Sequence, residues 1–197
     1  VFNPKNFPST SWYAEKVRSV VKKYKDFCEV GCGAGVASCV SALGNKKLNV
    51  VSTDINPFAV ENTKLNVENL GLAKRVKVYS GDVFDRIPKK SKFDSIFWSL
   101  PFGFLDPGVK VSLEEMQVFD PGYKATRKFL FEAKKYLKKD GKLLIGFSEE
   151  LGHKELLYEL AKEAGVSFKK ITESELEEGD KVGFELLEGK YNSGNKK

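Results

Sequence analysis

The sequence predicts a single α/β domain, a doubly wound and mostly parallel sheet with helices on both faces. Three observations predict it. Short apolar runs alternate with helical patterns along nearly all of the 197 residues. A glycine-rich turn follows the first apolar run. No segment has the composition of a linker, and no internal repeat is present,. A chain of this length buries roughly 70% of its unfolded surface, enough to fold without disulfides or metals.

The pattern opens with a helix. Trp12, Tyr13, Val17, Val20, Val21 and Tyr24 recur at helical spacing, and Ser9, Thr10 or Ser11 can cap it,. Residues 1–25 form an N-terminal helical segment expected to pack on the cofactor side of a main domain at 26–190. Phe27-Cys28-Glu29-Val30 reads as the first strand. A helix of small residues at 36–43 follows, stopped by Gly44-Asn45,. Residues 48–53 give the second strand. Asn56-Pro57 starts a helix, with a capping Asn and Pro at the first helical position, that runs to Leu70 and stops at Gly71,. Residues 75–79 and 93–98 give two more strands. A stretch with little regular pattern spans 99–122, yet it carries Phe102, Phe104, Leu105, Met116 and Phe119, which is too apolar for a linker,. An amphipathic helix is predicted over 123–138, then a strand at 142–147 after Asp140-Gly141. A helix follows at 150–164, and strands at 166–171 and 181–187. The last two strands are joined only by a loop. They cannot both run parallel to their neighbours, because a parallel crossover needs a dozen or more residues. Residues 191–197 read as a flexible tail.

Composition narrows the class. Hydrophobic residues make up 41% and charged residues 30%, as in an ordinary globular protein. No apolar run is long enough to span a membrane, and Val1-Phe2-Asn3-Pro4 lacks the layout of a secretion signal,. The net charge is +6. Its basic residues fall in short separated groups, such as Lys22-Lys23, Lys89-Lys90 and Lys134-Lys135, which read as solvated faces,. The three cysteines, Cys28, Cys32 and Cys39, form no C-x2-C pair, and the single His153 is far away. The chain is therefore expected to be a reduced, cytoplasmic protein without a metal site.

The chemistry concentrates after the first strand. Glu29-Val30-Gly31-Cys32-Gly33-Ala34-Gly35 places a glycine at every second position, so backbone can turn tightly and approach a ligand,. The turn falls in the crevice at the carboxyl end of the strands. Asp54 ends the second strand, where a carboxylate can accept the hydroxyls of a ribose. A dinucleotide turn would space its third glycine one residue later and would not set Glu29 before the first. A Walker loop would need Gly-Lys-Ser/Thr. An acidic crevice suits a cationic nucleoside without phosphate, and S-adenosylmethionine is one.

On these residues the sequence resembles the class I S-adenosylmethionine-dependent methyltransferases, from about Phe27 to Leu187. Glu29 to Gly35 matches the family's first motif. The second is matched by Asp54-Ile55-Asn56-Pro57, and Gly81-Asp82-Val83 looks like the segment that contacts adenine. The resemblance implies a Rossmann-like sheet of seven strands in the order 3-2-1-4-5-7-6 with strand 7 antiparallel. It implies cofactor-binding roles for Glu29, Gly31, Cys32, Gly33, Gly35, Asp54, Ile55, Asn56, Asp82 and Val83. Thr10 is added, because the segment with Phe2-Asn3-Pro4 lies where some of these enzymes fold over the cofactor.

Ser99-Leu100-Pro101-Phe102, at the end of the fourth strand, resembles the (Asn/Asp/Ser)-Pro-Pro-(Tyr/Phe) motif of amino-methyltransferases, with Leu100 in place of the first Pro. The resemblance implies that these four residues are catalytic. The Ser99 hydroxyl and the Leu100 carbonyl would accept hydrogen bonds from a planar NH2 group, and Phe102 would stack on it. Phe119 to Tyr123 and the helix after it are similar to the HemK-like glutamine methyltransferases and to RNA base N-methyltransferases. Three functions are weighed. The first is N-methylation of a macromolecule, protein glutamine or rRNA/tRNA base in a translation setting, with loop 99–122 as docking surface. The second is methylation of a small metabolite under that loop as lid. The third is a non-catalytic partner of the same fold. Lys124, Arg127 and Lys128 are the basic group expected to touch RNA. No motif encodes an activating subunit.

Overall fold

The computed structural model describes residues 8–174 and 182–192. In chain order the elements are α1 (Pro8–Val21), β1 (Asp26–Val30), α2 (Val36–Gly44), β2 (Asn49–Asp54), α3 (Pro57–Asn69), β3 (Val76–Ser80) and β4 (Phe93–Ser99). Then come β5 (Gly103–Leu105), β6 (Phe119–Pro121), α4 (Lys124–Glu132), β7 (Leu137–Phe147), α5 (Lys154–Glu163), β8 (Val166–Glu173) and β9 (Glu185–Tyr191). Seven strands form one sheet in the order β3-β2-β1-β4-β7-β9-β8. The first five are parallel, and β9 runs antiparallel to both β7 and β8. This is the expected order, with the reversed strand where the short final connection required it.

Strands β1 and β4 are buried over most of their length, as suits central strands covered on both faces. Alternate side chains leave opposite faces. Cys28, Ile96, Trp98, Leu143 and Ile145 join Phe129, Leu130 and Leu157 on the α4–α5 side. Phe27, Val50, Phe97 and Leu144 join Tyr13, Val17, Val21 and Ala42 on the α1–α2 side. Helix α1 is fastened to the sheet by Tyr13, whose hydroxyl donates to the Phe147 carbonyl at 2.9 Å. Gly146 makes room for that ring, since a Cβ there would meet Tyr13 Cζ at 2.7 Å.

Several boundaries differ from the sequence reading. Helix α1 begins at Pro8, so Ser9, Thr10 and Ser11 lie in its first turn and do not cap it. Asn56 does cap α3, its side chain accepting from Phe58 N at 3.0 Å, with Pro57 at the first position. The helix predicted over 123–138 ends at Glu132 and gives way to a 3-10 turn at Ala133–Lys135. The apolar spacing continues through Tyr136 and Leu137 for a different reason. Tyr136 stacks on Phe84 with centroids 4.8 Å apart, and its carbonyl accepts from Phe93 N at 2.8 Å as the chain enters β7. Asp140-Gly141 then lies inside β7, where the pairing with β4 shifts register.

The last strand is Glu185–Tyr191, four residues later than predicted and one residue into the segment read as tail. The polar look of Glu188-Gly189-Lys190-Tyr191 conceals its anchors. Glu188 pairs with Lys142 at 2.6 Å, and the Tyr191 hydroxyl donates to the Leu130 carbonyl. Residues 1–7, with Phe2-Asn3-Pro4, and residues 193–197 lie outside the described residues. Loop 99–122 contains a two-stranded parallel ribbon, β5 with β6, that the sequence did not announce.

Candidate active site

A cleft of about 1430 Å³ opens at the carboxyl ends of β1, β2 and β4. It exceeds the 300–1,000 Å³ typical of a single small ligand. Its floor begins at the glycine-rich turn. Gly31, Gly33 and Gly35 all take positive φ, at 61°, 55° and 75°. At Gly31 a Cβ would sit 2.4 Å from Trp98 Nε1, so glycine is required by conformation and by space,. Gly35 does not line the cleft. It faces Thr63, where a Cβ would meet Cγ2 at 2.5 Å, and so brings α2 against α3.

The turn is held from behind. Cys32 N donates to the Thr53 carbonyl at 3.0 Å, Thr63 Oγ1 to the Gly33 carbonyl at 2.7 Å, and Asn66 Nδ2 to the Ala34 carbonyl at 2.9 Å. The Cys32 thiol turns to Thr63 Oγ1, and burial pushes it well above its ordinary range. All three cysteines are free and buried.

Two carboxylates stand at the turn. Asp54 accepts from Gly33 N at 2.8 Å and from Asn56 N at 2.9 Å. A carboxylate has about four acceptor positions, so two remain for a ligand. Burial raises the Asp54 carboxyl above its usual range, against the pull of those backbone bonds. Glu29 is only 5% exposed. Its Oε2 accepts from Ser38 N at 2.9 Å and from the Ser38 hydroxyl, which also meets Ser52 Oγ at 2.7 Å. Oε1 forms no hydrogen bond among the described residues. Burial pushes Glu29 up to about 7, partly offset by the Ser38 bonds, with Asp54 adding to the rise.

Asp82 and Val83 line the wall beyond β3. Val83 has a φ of 52°, an outlier for a β-branched residue,. Its carbonyl accepts from Thr53 Oγ1 at 2.9 Å, which holds the strained residue in place,. Asp82 is not free. Lys128 Nζ lies 2.8 Å from its carboxylate and 2.7 Å from that of Asp85. Hydrogen bonds from both outweigh burial and hold Lys128 above its ordinary value.

Ser99, Leu100, Pro101 and Phe102 form the opposite rim. Leu100 packs in the core and its N donates to the Gly146 carbonyl at 3.1 Å. The Ser99 hydroxyl and the Leu100 carbonyl have no hydrogen-bond partner among the described residues, and both residues line the cleft. Phe102 leans on Phe147 and Phe184, with centroids 6.2 and 6.5 Å away. Its carbonyl accepts from the Tyr123 hydroxyl at 3.0 Å, and that hydroxyl accepts from His153 N at 2.8 Å. Ile55, Asn56 and Thr10, with its neighbours Trp12 and Tyr13, also line the cleft, as do residues of loop 99–122.

Sequence reasoning missed Trp98, Tyr123 and Phe184. Alternation along β4 could have placed Trp98 over the glycine turn, but no local pattern marks the other two. Phe104, half-buried, packs on Tyr123 and His153, with centroids 5.5 and 5.3 Å away. The apolar groups that loop 99–122 leaves exposed are Val109, Leu113, Met116 and Val118. The basic group considered for RNA has contacts of its own, and Lys124 and Lys128 also line the cleft. Arg127 pairs with Glu163 at 2.7 Å, Lys124 donates to the Pro107 carbonyl at 3.1 Å, and Lys128 holds Asp82 and Asp85. Among the described residues no cluster of His, Cys, Asp and Glu could hold a metal ion, and no helix is long and apolar enough to cross a membrane.

Known proteins are similar to this chain over most of its length. Residues 21–186 match the model of a family described as a methyltransferase domain. A putative protein N5-glutamine methyltransferase of Methanocaldococcus jannaschii is 32% identical over 145 residues, covering 70% of this chain and 69% of that one. A ribosomal RNA small subunit methyltransferase C of Actinobacillus succinogenes is 31% identical over 134 residues, 68% of this chain, and there the chain spans only 35% of the relative's length. Among solved structures, a T. thermophilus 16S rRNA methyltransferase in complex with AdoMet and guanosine superposes with a TM-score of 0.63 at 17% identity, over 94% of this chain and 43% of that one.

Proposed function

The chain belongs to the class I S-adenosylmethionine-dependent methyltransferases, and on that premise we propose that it methylates a planar amino nitrogen of a macromolecule, in the first instance the side-chain amide of a protein glutamine. The observation that carries this reading is the pair of unpartnered acceptors, Ser99 Oγ and Leu100 O, on the cleft rim across from the glycine-rich turn.

The cleft residues fit S-adenosylmethionine as the cofactor. Asp54 offers its two open acceptor positions to ribose hydroxyls. Glu29 Oε1 offers a carboxylate oxygen to an ammonium group, and the left-handed glycines let backbone lie against the nucleoside. Thr10 closes the same end from α1, and Val83 with Ile55 forms an apolar bed for the base. Asp82, held by Lys128, keeps its second oxygen for an exocyclic amine. Bound there, the cofactor supplies a methyl group on a sulfonium that is already a good leaving group.

The chain's own work is alignment. An amide nitrogen has its lone pair delocalised into the carbonyl. Acceptors at Ser99 Oγ and Leu100 O hold its two N–H bonds out of the plane and turn the lone pair towards the methyl group. Phe102 lies against the flat face of the amide. Orientation of this kind supplies up to roughly 7–11 kcal/mol of the barrier. No strong base is needed at the rim, because the proton leaves after the nitrogen has become cationic.

The M. jannaschii relative supports glutamine as acceptor, and the A. succinogenes relative keeps a nucleobase amino group as the second reading. Transfer of labelled methyl to a cell extract separates them. Label lost to protease and kept through ribonuclease supports glutamine. The reverse supports a base, and label confined to small molecules rejects both.

A further inference from the structure

The pole of the molecule opposite the cleft carries a charge pattern that the methyl-transfer reading does not use. Strands β1, β2, β3, β4 and β7 begin side by side, since Asp26 pairs with Asn49, Val50 with Val76, Phe27 with Ser95 and Phe93 with Leu137. A doubled basic pair precedes every one of them. Lys22-Lys23 leads into β1, Lys46-Lys47 into β2, Lys74-Arg75 into β3, Lys89-Lys90 into β4 and Lys134-Lys135 into β7. In sequence these pairs are separated by between 15 and 45 residues. The fold collects them at one end, because each sits in the connection that leads into the start of a parallel strand.

The connections are laced together. Arg75 donates to the carbonyls of Asn45 and Leu48 at 3.1 and 3.0 Å, Asn45 Nδ2 to the Lys22 carbonyl at 3.0 Å, and Lys92 Nζ to the Lys135 carbonyl at 2.7 Å. The nine paired lysines other than Arg75 are exposed, and none has an ion-pair partner among the described residues. Nearby acids are few. Asp26 and Asp94 are occupied by Lys138 at 2.7 and 2.9 Å, which leaves Asp140 and the helix-end groups Glu68 and Glu132. A groove of about 540 Å³ opens beside the first pair, lined by Lys22, Lys23, Lys142, Lys169, Lys170 and one acid, Glu188, which Lys142 occupies at 2.6 Å.

Helix dipoles do not account for the pattern. A cation offsets the dipole only within the last turn, and α2, α3 and α4 have no basic residue there. Apart from Lys134 and Lys135, which lie in the 3-10 turn after α4, the lysines stand beyond the helix ends, and all nine face solvent.

We propose that this pole is a docking surface for the phosphodiester backbone of RNA. Five strand ends at about 4.8 Å spacing make a row roughly 19 Å long. Sheet twist turns that row through roughly 80–100°, so it follows a curved polyanion better than a flat anionic membrane. The surface reads charge and not sequence, as phosphate contacts do. It is separated from the cleft by the length of β4, about 23 Å, so the docked RNA is a foothold on an assembly and not the reacting group itself. The proposal goes beyond the reading of the cleft and does not depend on which nitrogen is methylated.

The test is binding of a fluorescent oligouridylate measured against salt. Each lysine–phosphate contact on a single strand contributes about −0.7 to the slope of log K against log salt concentration. Replacing Lys22, Lys23, Lys46 and Lys47 together by Gln lowers the magnitude of that slope by up to about 3. The separate double variant Lys89→Gln with Lys90→Gln lowers it by up to about 1.4. Cofactor affinity stays at its wild-type value in both, which separates this result from any failure of the cleft reading. The control Lys64→Gln with Lys162→Gln, on helix flanks, leaves the slope as it was. Equal slopes in wild type and both pole variants overturn the proposal. So does polyglutamate competing as strongly as oligouridylate, or tighter capture by phosphatidylserine vesicles, since these assign the pole to an acidic protein or a membrane.

Discussion

At the ends of β1 and β2 the cleft rim is mostly backbone. Gly31 and Gly33 lie in the left-handed region, the carbonyls of Gly33 and Ala34 are fixed by bonds from α3, and the strained Val83 after β3 is held by Thr53. At the end of β4 the rim is a pair of acceptors positioned by side chains from far along the chain. Tyr123 holds the Phe102 carbonyl from 21 residues away, and its own hydroxyl is held by His153 N. The first half tolerates little change, because a new side chain has nowhere to go. The second half is adjustable, because one distant side chain can reset the acceptor geometry without disturbing the nucleoside end.

The sharpest way to break this contrast is Gly31→Ala. A left-handed Ala costs roughly 1–2 kcal/mol, and its Cβ also meets Trp98 Nε1 at 2.4 Å. Thermal unfolding should drop by roughly 2–8 °C, with cofactor binding lost in calorimetry. Wild-type affinity in this variant would mean that the turn does not face the cofactor. Asp54→Ala follows, with about 1–3 kcal/mol of affinity lost. An unchanged dissociation constant there removes the ribose role.

Tyr123→Phe tests the other half. It strands the Phe102 carbonyl and the His153 N–H, for a stability loss of about 1–3 kcal/mol. Methyl transfer should slow while the cofactor dissociation constant stays put. If both fall together, the two halves are not separable.

The pH dependence of binding sharpens the comparison from the cofactor side. Glu29, near 7 in the free protein, must ionise to meet an ammonium. Affinity should therefore rise by up to about tenfold between pH 6 and pH 8, and Glu29→Gln should flatten that rise. Stability runs the other way. The folded Glu29 holds its proton above the unfolded value of 4.5, so folding stability falls as pH rises from about 4.5 to about 7,. Glu29→Gln should remove that fall in a comparison of unfolding at pH 5 and pH 8. The smallest effect belongs to Ser99→Ala, which removes one acceptor worth about 0.5–1.5 kcal/mol. Transfer should slow by tenfold or less with binding intact, and full activity would dismiss Ser99 as a nitrogen ligand.

What the sequence made readable follows the same division. Glu29 to Gly35 is contiguous, and Asp54 follows at a distance set by one helix and one strand, so the motif and its geometry coincide. A reversed strand at the end of the sheet was readable too, because the connection before the last strand is too short for a parallel crossover, while the full strand order came from the family resemblance. Loop 99–122 was opaque. The pairing of Gly103–Leu105 with Phe119–Pro121 involves three residues a side, too few to show a period. Tyr136 and Leu137 kept helical spacing while serving a stack and a strand. The lysine pairs read as scattered because their common position depends on topology, which no local window contains.

The insertion of β9 between β7 and β8 fixes the order in which the chain can be completed. On a translating ribosome β8 emerges first and finds no partner, since every one of its ladder bonds goes to β9. The flank of β7 likewise stays bare until Glu185–Tyr191 has cleared the exit channel. An unpaired strand edge invites association with other chains, so the nascent protein is most exposed to aggregation in the seconds just before its final strand slots in and seals both edges at once.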